Sequence, residues 1–246
     1  MQHIDIKKKK LNFQTNEAYK TLRTNVEFAG ENLKTIAVTS CLPNEGKSTT
    51  SLQLALAFAD AGKKTLLVDA DLRKSEMQKI SLSGAVKAGL SDFLVGKEKL
   101  MDVLVSTDVP NFYVIFAGHM APNPSELLGN NYFKALLDAA KETFDVVIID
   151  TPPVGSIIDA AIIASQTDGV ILVIKHASIS YKFAQKVRDQ LKTSGCKILG
   201  VVLNEVGGKG KGVYGSYYGK YYGSYYGSYY GKAYAKAYGD YSNEKQ

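Results

Sequence analysis

The sequence predicts an α/β fold, a mainly parallel sheet flanked by helices. Two patterns and one motif point there. Six apolar runs between residues 34 and 204 are nearly continuous in Val, Ile and Leu, as strands buried on both faces are. Helix-patterned stretches lie between several of them, and such alternation favours parallel strands joined by crossovers. A glycine-lysine-serine loop joins the first run to the first crossover helix, where an α/β sheet binds phosphate. At 246 residues and 45% hydrophobic composition, the chain is long enough for one domain of roughly 200 residues plus extensions.

In chain order, residues 16–27 read as a helix capped by Thr15 or Asn16. Strands are expected at 35–39, 65–69, 112–116, 146–150, 170–174 and 198–203. Helices are expected at 47–61, 125–142, 156–167 and 179–193. The composition changes after Asn204: a glycine- and lysine-rich stretch leads into a Tyr-Tyr-Gly-Ser/Lys repeat with almost no aliphatic residues. Recurrent glycine opposes a helix, and little is available to bury. The expected organisation is an N-terminal segment over 1–33, a phosphate-binding domain over 34–206 and a disordered tail over 207–246.

Three elements carry chemistry, each at the end of an expected strand. The first runs from Ser40 through Asn44, Glu45, Gly46, Lys47, Ser48 and Thr49. It matches G-x-x-x-x-G-K-[ST], except that Cys41 replaces the first glycine. Gly46 lets backbone N–H groups approach phosphates, Lys47 reaches the β- and γ-phosphates, and the Ser48 hydroxyl can ligate Mg²⁺. The second element places Asp69 and Asp71 two residues apart after an aliphatic run, followed by Arg73. Those carboxylates can hold Mg²⁺ and accept a proton from a hydroxyl. The third is an aliphatic strand ending in Asp150, then Thr151-Pro152-Pro153, the form of a Walker B strand. A single aspartate ending a strand is commonplace; three such elements in this order point to ATP with Mg²⁺.

Composition excludes other classes. Cys41 and Cys196 provide neither a metal-ligand spacing nor a disulfide framework, and His3, His119 and His176 are scattered. The excess of Lys and Arg over Asp and Glu is 30 − 24 = +6. Much of it lies at the two ends, which are read as solvated, so no nucleic-acid partner is expected. No apolar run approaches the ~20 residues of a membrane span.

Together, Ser-x-x-Pro-x-Glu-Gly-Lys-Ser, Asp-x-Asp-x-Arg, Asp-Thr-Pro-Pro, the segment Pro122-Asn123-Pro124-Ser125-Glu126-Leu127-Leu128 and the C-terminal tyrosine cluster resemble the bacterial tyrosine kinases of capsule and exopolysaccharide gene clusters. The resemblance implies a P-loop NTPase fold of the deviant Walker, partition-ATPase-like kind. It implies a split kinase: cytoplasmic, held at the inner face of the membrane by a transmembrane activator protein, and opposed by a phosphotyrosine phosphatase. By the same resemblance Asp69 orients and deprotonates the acceptor tyrosine, Asp71 and Asp150 act on Mg²⁺, and Asn204 touches adenine. Related partition ATPases carry a lysine five residues before the P-loop lysine, where this chain has Leu42.

The acceptors expected are Tyr214, Tyr217, Tyr218, Tyr221, Tyr222, Tyr225, Tyr226, Tyr229, Tyr230, Tyr234, Tyr238 and Tyr241, twelve of the sixteen tyrosines. A flexible tail of ~35 residues spans ~33 Å on average, enough to enter a neighbour's site. Glu17, Lys20 and Arg23 fall broadly on one helical face. They match the family's Glu-x-x-Arg-x-x-Arg ring-forming motif except for lysine in the middle, which implies a ring-shaped homo-oligomer.

Overall fold

The computed structural model describes residues 1–7, 10–82, 86–155 and 158–206. The expected tail and its twelve tyrosines lie outside the described residues. Met1–Asn204 forms one compact unit.

The strands are β1 (Gln2–Ile4), β2 (Thr35–Ser40), β3 (Thr65–Asp69), β4 (Val105–Thr107), β5 (Phe112–Ile115), β6 (Val146–Asp150), β7 (Gly169–Lys175) and β8 (Ile198–Asn204). They form one sheet in the order β1-β4-β5-β3-β6-β2-β7-β8. Pairing is parallel except between β4 and β5. Every residue of β2, β3 and β6 is buried, which is why those runs read as continuous apolar segments rather than alternating ones. The β3–β6 register sets Asp69 directly beside Asp150.

The helices are α1 (Phe13–Phe28), α2 (Lys47–Asp60), α3 (Leu90–Leu94), α4 (Leu100–Val103), α5 (Pro124–Leu128), α6 (Asn131–Thr143), α7 (Asp159–Ala164) and α8 (Tyr181–Thr193). Val26 of α1 and Leu54 and Phe58 of α2 pack with Ile36, Leu67 and Ile148 on one face of the sheet. Alternate strand residues, including Ala37, Leu66 and Val147, pack with the remaining helices on the other. The period of two along each strand feeds two cores at once.

Several boundaries differ from the sequence reading. The first helix begins earlier, because Asn12 rather than Thr15 or Asn16 is its cap: the Asn12 side chain accepts from Thr15 N at 2.8 Å. The expected helix over 125–142 is two. Asn130 interrupts it, accepting from Phe133 N at 3.0 Å to cap α6 while its amide donates to Leu94 O. The short strands β1 and β4 went unread because three-residue elements carry no periodicity. Through β1 the N-terminal segment joins the sheet it was expected to precede.

Candidate active site

The loops leaving the carboxyl ends of β2, β3 and β6 build the site. Between β2 and α2 the backbone is left-handed at Asn44 (φ 64°) and Gly46 (φ 89°). A Cβ on Gly46 would also lie 2.0 Å from Asn204 Nδ2 and displace that amide, but it is the left-handed φ that demands glycine there. α2 then begins at Lys47 and has no side-chain cap. Its first N–H groups and positive dipole end form a phosphate cradle.

The cradle is held from outside. Glu45, 1% exposed, accepts from Leu42 N at 2.8 Å and from Ser178 Oγ at 2.7 Å. Its carboxylate therefore braces the loop, and its backbone is the part left to meet phosphate. Asn204, at the end of β8, donates to Glu45 O at 2.9 Å, which sets it over the loop. Thr49, one residue into α2 from Ser48, is exposed.

Lys47 Nζ lies 3.1 Å from Asp71 Oδ2, 3.7 Å from Asp150 Oδ2 and 3.1 Å from Ser48 Oγ. Burial works against its charge, but Asp150 and Asp71 outweigh burial and raise its pKa. Ser51 Oγ donates to Asp150 Oδ1 at 2.9 Å. Burial lifts the Asp150 pKa despite Lys47 and the neighbouring hydroxyls. Asp69 takes different partners, the Ser75 hydroxyl and Asp71 N at 3.2 Å. Burial, then the charge of Asp150, pushes its pKa up to about 7. Thus Asp71 and Asp150 face one ammonium, while Asp69 stands beside them as a carboxyl that titrates near neutrality.

This donor set suits a hard cation shared with phosphate. Among the described residues no group of three or more His, Cys, Asp or Glu side chains could hold a metal ion by itself. Mg²⁺ does not require one, since it binds through one or two carboxylates, substrate phosphates and water. Ser48, Asp71 and Asp150 fit that role, and Lys47 supplies the counter-charge for the phosphates.

Arg73, two residues after Asp71, pairs with Asp159 at 2.7 Å. Glu17 and Lys20 form an ion pair at 2.7 Å within α1, and Arg23 Nη1 donates to Ala57 O on α2 at 3.1 Å. Ser51, Ser75, Asp159 and Ser178 went unnoticed in the sequence. Only the Ser51 position, four residues after Lys47 on the same helix face, carried a signal that could have found it.

Comparison with known proteins supplies the family. Residues 33–195 match a family described as an AAA domain. The chain is 44% identical over 205 residues to the tyrosine-protein kinase CpsD of Streptococcus agalactiae, covering 83% of this chain and 89% of that one. The chain belongs to the bacterial tyrosine-protein kinase family. Another relative, the tyrosine-protein kinase YwqD of Bacillus subtilis, is 38% identical over 192 residues, covering 77% and 80%. The kinase domain of the Escherichia coli tyrosine kinase ETK superposes with a TM-score of 0.76 at 32% identity, covering 81% of this chain and 78% of that one. The septum site-determining protein MinD from Pyrococcus horikoshii, complexed with Mg-ADP, gives 0.60 at 26% identity and covers 71% of each chain. The P-loop NTPase fold expected from the motifs is therefore the observed one, and the kinases of this family share it with MinD.

Proposed function

We propose that this chain is an ATP-dependent protein-tyrosine kinase that phosphorylates its own C-terminal tyrosines, one copy acting on another. The observation that carries this reading is the division of labour among three buried carboxylates. Asp71 and Asp150 face Lys47, while Asp69 is held apart by Ser75 with a pKa of about 7.

Lys47 and the N–H groups at the start of α2 hold the β- and γ-phosphates of ATP. Ser48, Asp71 and Asp150 hold Mg²⁺, which when bound neutralises charge on those phosphates. A tyrosine hydroxyl, ordinarily of pKa about 10, attacks the γ-phosphorus. The Asp69 carboxylate takes its proton, and ADP leaves with the electrons of the broken P–O bond. Asn204, which donates to Glu45 O, is assigned to the base of the nucleotide by the family resemblance. Phosphoryl transfer depends on positioning and charge stabilisation, and the braced loop supplies both.

Assembly and setting form part of the proposal. The ring contact is assigned to Glu17, Lys20 and Arg23 of a homo-oligomer. A groove of about 120 Å³ between α1 and α2, lined by Lys20, Arg23, Gln53 and Asp60 among others, supports this. So does Arg23 Nε, which is buried without a hydrogen-bond partner among the described residues. Among those residues no helix is long and apolar enough to cross a membrane. The motif resemblance is what supports a transmembrane activator holding the kinase at the cytoplasmic face, and control of capsular or exopolysaccharide synthesis and export. A phosphatase resets the tail, whose stretch from Gly207 to Tyr241 holds five lysines and one aspartate. At −1.5 to −2 charges each, about three phosphates reverse its sign.

Mass spectrometry after incubation with Mg-ATP and an activator-tail peptide tests the reading. Phosphate is expected on residues 214–241 and absent with Lys47→Met. ATP hydrolysis without phosphotyrosine would replace the kinase with an ATPase switch. An unchanged native mass for the Glu17→Ala, Arg23→Ala double variant would remove the ring contact.

A further inference from the structure

We infer that Arg73, acting through Asp159 and Ser125, is a positioning residue that fixes the Asp71 carboxylate for its cation. The inference rests on the Mg-ATP reading above and extends it to the support of the site.

β5, β3 and β6 are neighbours in the sheet, and the chain leaves all three at the same end. Asp69 closes β3, and the segment after it carries Asp71 and Arg73; that after β6 leads to Asp159, the first residue of α7; that after β5 leads to Ser125 in α5. Arg73 Nε reaches Asp159 Oδ2 at 2.7 Å, and Arg73 Nη2 reaches Asp159 Oδ1 at 3.2 Å. Ser125 Oγ donates to Asp159 Oδ1 at 2.5 Å and accepts from Arg73 Nη2 at 3.2 Å. One carboxylate, its side chain 1% exposed, thus ties three segments together.

The tie matters to Asp71 because the turn it occupies is otherwise braced mostly from within. Asp71 N donates to Asp69 Oδ1, Lys74 N donates to Asp71 Oδ1 at 3.1 Å, and the Ser75 hydroxyl meets Asp69. Those bonds shape the turn without placing it against β6. Ala70 N, bonded to Asp150 O at 2.8 Å, places only the strand end. Beyond Asp71, the Arg73 fork is the polar link to the β6 side among the described residues. Beside Lys47, which touches both carboxylates, it therefore helps to set the spacing between Asp71 and Asp150. A guanidinium can grip both oxygens of Asp159; an ammonium meets them as a point charge. A partner behind a metal ligand typically tunes metal affinity 10- to 100-fold.

The test is binding of a fluorescent ADP to the full chain, with Mg²⁺ and with a chelator, alongside thermal melting. The wild type is expected to bind more tightly with Mg²⁺. In Arg73→Lys the affinity in chelator should stay within about twofold, while the tightening by Mg²⁺ falls about tenfold. Ser125→Ala, which removes one hydroxyl and keeps the ion pair, should reduce that tightening about threefold, and it carries the test if Arg73→Lys does not fold. A ratio of Mg²⁺ to chelator affinity unchanged in Ser125→Ala and in folded Arg73→Lys, whatever happens to Tm, would overturn the inference and leave an ion pair that serves stability alone. No tightening in the wild type would instead sink the Mg-ATP reading, and this inference with it.

Discussion

Asp168 and Asp69 are carboxylates at opposite ends of the same sheet, one just before β7 and the other closing β3. Asp168 accepts from Lys34 N at 3.0 Å, Thr35 N at 2.8 Å and Thr35 Oγ1 at 2.9 Å, and pairs with Lys141 at 2.7 Å. Burial alone would raise its pKa; the ammonium and these donors more than offset burial and lower it. Asp69 is more deeply buried, has Asp150 as its neighbour in register, and titrates near 7. The depth of burial and the partners available to offset it together decide whether a carboxylate knits a fold together or is held in reserve. The amino end of the sheet satisfies its charges internally. The carboxyl end gathers three carboxylates, two of them on one lysine, an arrangement that a cation and phosphates would complete.

The largest effect expected is at Lys47. Lys47→Met should reduce phosphotyrosine formation by about three orders of magnitude, read as a time course by mass spectrometry. A variant within tenfold of wild type would dissolve the distinction between the two ends.

Next comes Asp168. Asp168→Ala removes several hydrogen-bond acceptors and should cost about 1–3 kcal/mol near pH 7, measured by urea unfolding. The folded pKa lies below the unfolded value, so the carboxylate's contribution is complete above about pH 4. It is lost as pH falls through the folded value, so the wild type and the variant should converge in acid. A gap that is constant with pH would mean that packing, not charge, holds this end.

Asp69→Asn should behave in the opposite sense. A carboxyl whose folded pKa is raised to about 7 makes stability fall as pH rises from about 4 to 7. With nucleotide and divalent ions removed, the amide should be more stable than wild type by about 1–3 kcal/mol at pH 8, while phosphoryl transfer collapses. A lower Tm at pH 8 would show that Asp69 is structural, like Asp168.

The smallest effect belongs to the brace. Ser178→Ala deletes one hydrogen bond to Glu45 and should weaken ADP binding by about three- to tenfold, roughly the 1 kcal/mol of one such bond. Calorimetry would show it, and unchanged affinity would mean that Leu42 N alone fixes Glu45.

Much of this site was legible beforehand because its motifs are local. Gly46 is required by a left-handed φ, Lys47 and Ser48 by the helix start that follows, and Asp69 and Asp150 each close an aliphatic run. A chain-local rule sufficed for each. The roles of the aspartates were not legible, because they depend on register: β3 pairs with β6 so that Asp69 abuts Asp150, across 81 residues of chain. Ser75 and Ser178 were silent for the same reason, as isolated serines without a pattern. The break at Asn130 shows a local signal outweighed, since helical periodicity runs through 125–142 until one side chain caps a new start.

By itself the sequence determined the α/β class, the positions of the main strands along the chain, the phosphate loop and the identity of the charged groups. These follow from short-range sterics, hydrophobic periodicity and strand-end position, all written within a few residues. Only the tertiary structure decided which carboxylate faces Lys47, which one is lifted toward neutrality, and that Arg73 is tied to Asp159 rather than free for a ligand. Those outcomes are set by burial and Coulomb interaction between segments far apart in the chain, energies that exist only once the sheet has brought them together.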